Sequence, residues 1–460
     1  MPTHIMPPIK LLLPLLAAAP LLAQSGDQQL LTRPPVLQLT LKQAVQLALA
    51  PEGSTRVKLA QEDLKQAELR SDESRAALLP DFEGYLEYQN ETTNLQAFGF
   101  NFSNVFRNLP IPGLAIPTFV GPFSVLDARA SVNQTVFDFS AIRRYQASKV
   151  AIEATKADNE GTNDQVTDQV ARAYLAGLRA QASLETQRAN VELSESLLRL
   201  ARQQKAAGTG TGIEITRAEV QLANDRQALL VAQNDVDRTR LQLLKVIGLK
   251  LDNAVELADA LSYVPMNNVE PAQALATANQ HRAELRAQQR REENARLNFS
   301  ATKFERLPSL GAFANYGDIG TSVYNALPTR SVGATLKIPI FDGGRRDARR
   351  AESASEFRQQ SIRTADLRDQ IELDVRTAID SLHSADAQVQ AAEVGLTLAE
   401  QEVAQAERRY KAGVTNSVEV TDAQTRLARA RDNRINALYN YNLARIDLGT
   451  ATGTIQSMIQ

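Results

Sequence analysis

Two halves of this sequence repeat one another in the same order and at nearly constant spacing, and internal repetition of this kind decides an architecture before any local pattern does. Ala44 corresponds to Ala272, Ala48 to Ala276, Leu79-Pro80 to Leu307-Pro308, Tyr85 to Phe313 and Tyr88 to Tyr316, all 228 positions apart without a gap. A second block repeats at a smaller offset. Val136-Phe137-Asp138 meets Ile340-Phe341-Asp342 at 204, while Ala207-Gly208 meets Ala412-Gly413 and Gly248 meets Gly453 at 205. The first half therefore carries about 24 extra residues, which fall in Glu91–Phe123, a stretch rich in Asn, Phe, Pro and Gly. Lys250–Asn268 joins the halves.

Each half reads as helix, two strands, long helix, tight turn, helix. The strands show period-2 alternation. In Leu126–Phe137 the even positions Leu126, Ala128, Ala130, Val132 and Val136 are apolar, with Gln134 the exception, and odd positions such as Asp127, Arg129 and Asn133 are polar. In Ser331–Phe341 the even face is Val332, Ala334, Leu336, Ile338 and Ile340. The preceding segments, Asp81–Asn90 and Ser309–Gly317, alternate less cleanly. One apolar and one polar face suits a barrel wall between lipid and water; a soluble amphipathic sheet is the other reading. Four strands cannot close a barrel, which needs about eight, and their edges would stay open. Several copies must pool strands.

From Val375 a 3/4 spacing runs through Ala378, Leu382, Ala385, Val389, Ala392, Leu396, Ala399, Val403 and Ala406 to Tyr410. Large residues occupy one seam site and alanine the other, a coiled-coil pattern over five heptads. The next segment has alanine every seventh residue, from Ala423 to Ala451, and the first half is looser, with Gly177, Gln187 and Lys205 at equivalent sites. A helix from Arg345 to Tyr410 is about 100 Å long, beyond a compact globular domain. The turns Lys205–Gly212 and Lys411–Ser417 place glycine at helix ends, so each half offers one antiparallel hairpin.

Residues 1–23 read as a signal peptide: Lys10 precedes an apolar stretch broken by Pro14 and Pro20 and too short to span a bilayer, and Ala23 offers a small residue before a cut. Residues 24–38 are expected as a mobile tail, 39–249 as the first repeat, 250–268 as a linker, 269–455 as the second repeat and 456–460 as a C-terminal tail. After the signal segment no run of about 20 apolar residues follows, so any membrane passage is by strands. With 51 basic and 53 acidic residues intermixed, no phosphate-binding stripe arises and nucleic acid is not an expected partner. The lack of cysteine removes disulfides, thiolate metal sites and a lipid-anchored N-terminus.

Enzymatic chemistry finds no foothold. Beyond His4 only His281 and His383 occur, without metal-ligand spacing, and Gly208, Gly210 and Gly212 imitate a phosphate loop without its Lys-Ser/Thr. No catalytic, cofactor or metal site is expected.

The duplicated order, together with Val136-Phe137-Asp138, Ile340-Phe341-Asp342, Tyr410-Lys411-Ala412-Gly413 followed by Val418-Glu419-Val420-Thr421-Asp422-Ala423, and Leu443-Ala444-Arg445 through Ala451-Thr452-Gly453-Thr454, resembles the TolC family of outer-membrane efflux proteins. The resemblance covers about Leu39 to Ile455. It implies a mainly α fold with a small β part, in which a homotrimer builds a periplasmic α-barrel and a twelve-stranded outer-membrane β-barrel, four strands per protomer. It implies a passive exit duct fed by an inner-membrane pump through a periplasmic adaptor, in a tripartite efflux or type I secretion system. A secreted coiled-coil structural or adhesive protein shares the heptads but does not need paired strands in each half. A periplasmic adaptor, the other alternative, carries only one hairpin.

The resemblance also assigns a gate near the hairpin tips. Tyr410 matches the tip tyrosine, Glu214 its acidic partner on the other hairpin, and Glu419 and Asp422 the constricting carboxylates. Thr415 stands where the best-known member has an arginine, so that inter-hairpin ion link is absent, and the gate is looser or held by other contacts. Each residue also has a plainer reading: Tyr410 continues the packing seam, and Glu214, Glu419 and Asp422 occupy first turns of helices, where carboxylates are favoured. The tips Gly208, Gly210, Gly212, Gly413, Val414 and Thr415 are expected to dock the adaptor. Glu91–Phe123 is expected as an external loop, with Phe98, Phe100, Phe102 and Phe106 extending the strand or joining an aromatic girdle.

Overall fold

A computed structural model describes residues 37–99, 119–266 and 269–459. The signal peptide, the tail up to residue 36, and Phe100, Phe102 and Phe106 lie outside the described residues. In chain order the elements are β1 (Leu37–Leu39), α1 (Leu41–Leu49), α2 (Thr55–Ala76), β2 (Asp81–Asn94), β3 (Phe119–Phe137), α3 (Phe139–Ala206) and α4 (Gly212–Ile247). The second half follows with β4 (Val255–Leu257), α5 (Pro271–His281), α6 (Ala283–Phe304), β5 (Ser309–Gly320), β6 (Leu327–Lys337), α7 (Arg345–Lys411), α8 (Ser417–Thr452) and α9 (Ile455–Ile459).

The helix expected to open the first half, ahead of Leu79-Pro80, is two helices, α1 and α2. Thr40 and Gln43 cap α1 reciprocally, with Gln43 N–H donating to Thr40 Oγ1 at 3.3 Å and Thr40 N–H to Gln43 Oε1 at 3.1 Å. Pro51 forces Ala50 out of the helical region, and Ser54 restarts the chain as the N-cap of α2. Leu37 and Gln38 are not tail: β1 pairs in parallel with β4, inside the linker, because Leu39 is fully buried between α1 and α3. Residues 456–459 are helix rather than tail, anchored by buried Ile455 and by Gln456 Nε2 donating to Asp164 Oδ1 at 2.7 Å.

The four longer strands form one antiparallel sheet in the order β2-β3-β5-β6. Glu91–Asn94 and Phe119–Phe123, expected in the external loop, extend β2 and β3, with Glu91 opposite Phe123. At its other end β6 stops before Pro339, which cannot donate to a ladder. Between the register shifts at Glu91/Thr93 and Thr135/Phe137, the register aligns the even-numbered residues on one face. Phe82 pairs with Val132, which pairs with Ala314, which pairs with Val332; Leu86 lies opposite Ala128, and Leu310 opposite Leu336. Among the described residues nothing packs on this apolar face: Phe82, Leu86 and Val332 are at least 73% exposed. The odd face is polar. There Arg129 Nε donates to Asp127 Oδ1 at 2.7 Å and its guanidinium lies 5.5 Å from the Tyr85 ring centre. Gly317, directly opposite, leaves the room that Arg129 needs, since a Cβ there would sit 2.2 Å from that of Arg129.

The helices build two antiparallel hairpins, α3 with α4 and α7 with α8. The alternating seam of α7 is the buried line of its hairpin: from Val375 to Tyr410 every named position is buried except Ala392 and Leu396, which pack against the same clusters partly exposed. Alanine at every second site lets α8 approach closely, and Ala423, Ala437, Ala444 and Ala451 are buried against it. At 67 residues α7 is about 100 Å long.

At mid-height the linker is pinned by two buried tyrosines. Tyr174 Oη lies 2.9 Å from the Leu39 carbonyl and 2.7 Å from Asp259 Oδ2, and burial, with Asp259 beside it, pushes its ionisation well above the ordinary range. Tyr441 donates to the Val264 carbonyl at 2.9 Å. The return helices end here on left-handed glycines. Gly248 (φ 89°) abuts Gly53, ahead of α2, and Gly453 (φ 70°) abuts His281 and Arg282, ahead of α6. A short upper helix and a return helix thus stack end to end beside each long one.

Gly248→Ala tests this stacking. A left-handed alanine costs about 1–2 kcal/mol, and its Cβ would also meet the Gly53 carbonyl oxygen at 2.5 Å. Gly343→Ala, at φ 71° but in open space, carries only the first cost. Thermal unfolding in detergent should show Gly248→Ala falling clearly further than Gly343→Ala; equal shifts would remove the contact from the explanation.

Candidate functional site

Both long helices end in the same capping motif. At Gly413 (φ 72°) the N–H of Val414 returns to the Arg409 carbonyl and that of Gly413 to the Tyr410 carbonyl, each at 3.0 Å. At Gly208 (φ 76°) Thr209 returns to Gln204 and Gly208 to Lys205, also at 3.0 Å. This double return is the Schellman arrangement, and it needs a residue without Cβ strain at the left-handed position. The two turns are the ends farthest from the sheet. Gly208, Gly413 and Val414 are exposed there, whereas Gly210 is packed against Gln204 and Lys205.

Just above the turns the hairpins meet around Tyr410. Its ring is buried in a cluster with Val403, Ala406, Val420 and Leu427, joined by Leu197 and Leu200 from α3. Its hydroxyl faces a small cavity between the hairpins, lined also by Glu214, Arg217, Ser417 and Gln424. The structure brings Tyr410 and Glu214 to one cavity but does not join them. Glu214 Oε2 accepts the Thr211 N–H at 2.9 Å, capping its own helix, and Tyr410 Oη has no hydrogen-bond partner. Burial first, and the Glu214 charge second, raise the Tyr410 ionisation above its usual value. Ser417 Oγ and Gln424 Nε2 are likewise unpartnered and buried. Sequence reasoning missed both; the signal available was Gln424, a polar side chain adjacent to the Ala423 seam position.

The only polar tie across the hairpins at this level that involves Tyr410, among the described residues, is Gln204 Nε2 donating to the Tyr410 carbonyl at 3.4 Å. Thr415, in place of the arginine, donates its hydroxyl to Glu419 Oε2, and Arg409 Nη1 lies 3.2 Å from Glu419 Oε1. Glu419 is therefore held within its own hairpin. Asp422 is exposed, and no partner for it occurs among the described residues.

A sheet with an uncovered apolar face and two open edges, continued by hairpins of about 100 Å, defines a channel protein of the outer membrane with its helices in the periplasm. No helix among the described residues is long and apolar enough to cross a membrane. The chain belongs to the outer membrane efflux protein family, whose signature matches residues 46–249 and 274–454. It is 24% identical over 326 residues, 70% of this chain and 71% of the relative, to the outer membrane efflux protein BepC of Brucella suis. It is 27% identical over 314 residues, 66% of this chain and 71% of the relative, to the outer membrane protein TolC of Vibrio cholerae. The fold is that of the outer membrane protein VceC of Vibrio cholerae, with a TM-score of 0.74 at 18% identity over 90% of this chain and 96% of that one. The protein is an outer-membrane exit channel for efflux or secretion.

Because Tyr410 Oη is buried without a partner, its removal should cost little. Tyr410→Phe is expected to change unfolding stability by less than about 0.5 kcal/mol or to raise it, while Tyr410→Ala, which empties the seam, should cost about 3–5 kcal/mol. Thermal unfolding compares them; a large loss in Tyr410→Phe would mean that the hydroxyl is bonded in the assembled protein.

Proposed function

We propose that three copies of this chain form a passive duct that receives solutes from an inner-membrane pump through a periplasmic adaptor, with no catalytic step of its own. The observation that carries this reading is the sheet. Strand directions alternate across β2-β3-β5-β6, so the free edge of β6 meets β2 of another copy in antiparallel sense without any change of fold. Three copies give twelve strands, above the number a small closed barrel requires, and place the polar odd face inside. Two of the relatives are a protease secretion protein of Dickeya chrysanthemi and a pyoverdine export protein of Pseudomonas aeruginosa. Their cargoes differ widely, which suits a duct that leaves selection to its pump. Mass measurement in detergent tests the assembly: a trimer is expected, and a stable monomer in detergent-free solution would overturn it.

In this reading the narrow end lies at the hairpin tips, where Tyr410 and Glu214 line one inter-hairpin cavity and Glu419 and Asp422 occupy the first turns of α8. The exposed, unpartnered Asp422 supports a place on the pore axis; Glu419, paired with Arg409, contributes less field. Rings of carboxylates attract cations in pores. Asp422→Asn is therefore expected to change cation selectivity or divalent block in planar-bilayer recordings more than Glu419→Gln does. Parental conduction in the double variant would make both residues simple helix-start carboxylates.

The tips Gly208, Gly210, Gly212, Gly413, Val414 and Thr415 are the adaptor-docking surface in this reading, supported by the exposure of Val414 and by two equivalent turns presented together. Gly413→Val should strain the left-handed position by about 1–2 kcal/mol and weaken crosslinking to the adaptor. Unchanged crosslinking and efflux in a folded variant would exclude the role.

A further inference from the structure

Where the strands give way to the long helices, a group of cations gathers that neither the gate nor the tips explain. Lys337 ends β6, Arg345, Arg346 and Arg349 begin α7, and Arg144 reaches in from the start of α3; all five line one recess. The strand residues of that recess, Ser309 and Lys337, are register partners on the odd-numbered face, so it opens on the polar side of the sheet.

The acids nearby are already engaged. Asp138 Oδ1 accepts the backbone N–H groups of Ser140 and Ala141 at 2.8 and 3.2 Å. Glu305, with its side chain 9% exposed, forms ion pairs with Arg144 and with Arg349, the latter at 2.9 Å, while its buried Oε2 makes no hydrogen bond among the described residues. Asp342 lies 3.9 Å from Arg345 and 3.5 Å from Arg346. The neighbouring Arg306 and Asp347 cancel one another. Five cations against these three carboxylates leave two positive charges in each protomer. A second observation is independent of charge. Ser140 is 4% exposed and lines the recess, and its Oγ has no hydrogen-bond partner. A buried hydroxyl without a partner is uncommon, and this one borders the recess.

We propose that this recess is an anion site for carboxylate or phosphate groups of solutes moving along the polar face. Lys337, which has no ion pair among the described residues, and Arg345, 3.9 Å from an Asp342 that it shares with Arg346, supply the excess charge, and Ser140 Oγ–H donates the orienting hydrogen bond. The inference rests on the channel reading, in which the odd face is the lumen. Three copies then place a cationic ring at the barrel–helix junction, opposite in sign to the carboxylates of the tips.

Equilibrium dialysis of the detergent-purified full chain with labelled inorganic phosphate tests the site. Saturable binding of one phosphate per protomer is expected. Lys337→Gln with Arg345→Gln, both exposed side chains, should weaken it by at least about fivefold, and Ser140→Ala by about two- to fivefold with no loss of unfolding temperature, as for single charge-assisted and neutral hydrogen bonds. In planar bilayers of phosphatidylcholine the double variant should shift the reversal potential in a potassium chloride gradient toward cations. Absent binding, or equal binding in parent and variants (an adventitious ion only), overturns the site. Phosphate binding that disappears in nanodiscs containing phosphatidylglycerol marks a lipid headgroup pocket and overturns the solute assignment. A protein that conducts nothing overturns the channel reading instead, whatever it binds.

Discussion

Among the described residues, the outer edges of β2 and β6 carry rows of backbone N–H and C=O groups with no strand partner, beside a sheet face of Phe82, Leu86, Val332 and Leu336 that nothing covers. In hydrocarbon such groups have no water to turn to, and each left unpaired costs several kcal/mol. That constraint fixes much of the rest. The sheet must close with copies of itself, so its strands alternate in direction and end on opposite senses. Closure separates lipid from lumen, so the central register keeps the even residues on one face, and its shifts are confined to the two ends of the ladder, at Glu91/Thr93 and Thr135/Phe137. The chain leaving each strand must then continue as a layer that can also close, which a hairpin with a narrow alanine seam provides.

The seam was fully legible in the sequence because it is a one-dimensional signal: a large residue and an alanine alternating along one helix need only one geometry to be satisfied. The same holds for the tips, where Gly208 and Gly413 announce left-handed caps. The strand ends were not legible. Thr92–Asn94 and Phe119–Phe123 lack alternation, and they are strand because Glu91 and Phe123 extend an existing ladder. Nor was the pairing of Leu37–Leu39 with Val255–Leu257, since three residues carry no period and the contact is held by Tyr174 and Asp259 from elsewhere.

The functional residues divide in the same way. Tyr410, Glu214, Glu419 and Asp422 are candidates through the family resemblance alone; local pattern shows only that Tyr410 continues the seam and that the three acids start helices. Their partners depend on side-chain reach across elements, which no local pattern encodes. Glu214 could be placed near Tyr410 by resemblance, but only coordinates show its carboxylate turned back onto Thr211. At the second tip the Thr415 hydroxyl and Arg409 hold Glu419 on its own hairpin, so that carboxylate is engaged locally rather than between hairpins.

The glycine junctions at Gly248–Gly53 and Gly453–Arg282 have a mechanical consequence. Each hairpin is a pair of rods, one continuous from sheet to tip and one cut at mid-height into butted lengths. A beam notched on one side is stiff along its length and compliant in one plane only. The continuous rods, α3 and α7, set the span from sheet to tip, while the butted joints put the least continuous cross-section of both hairpins at mid-height, the level where Tyr174 and Tyr441 fasten the linker.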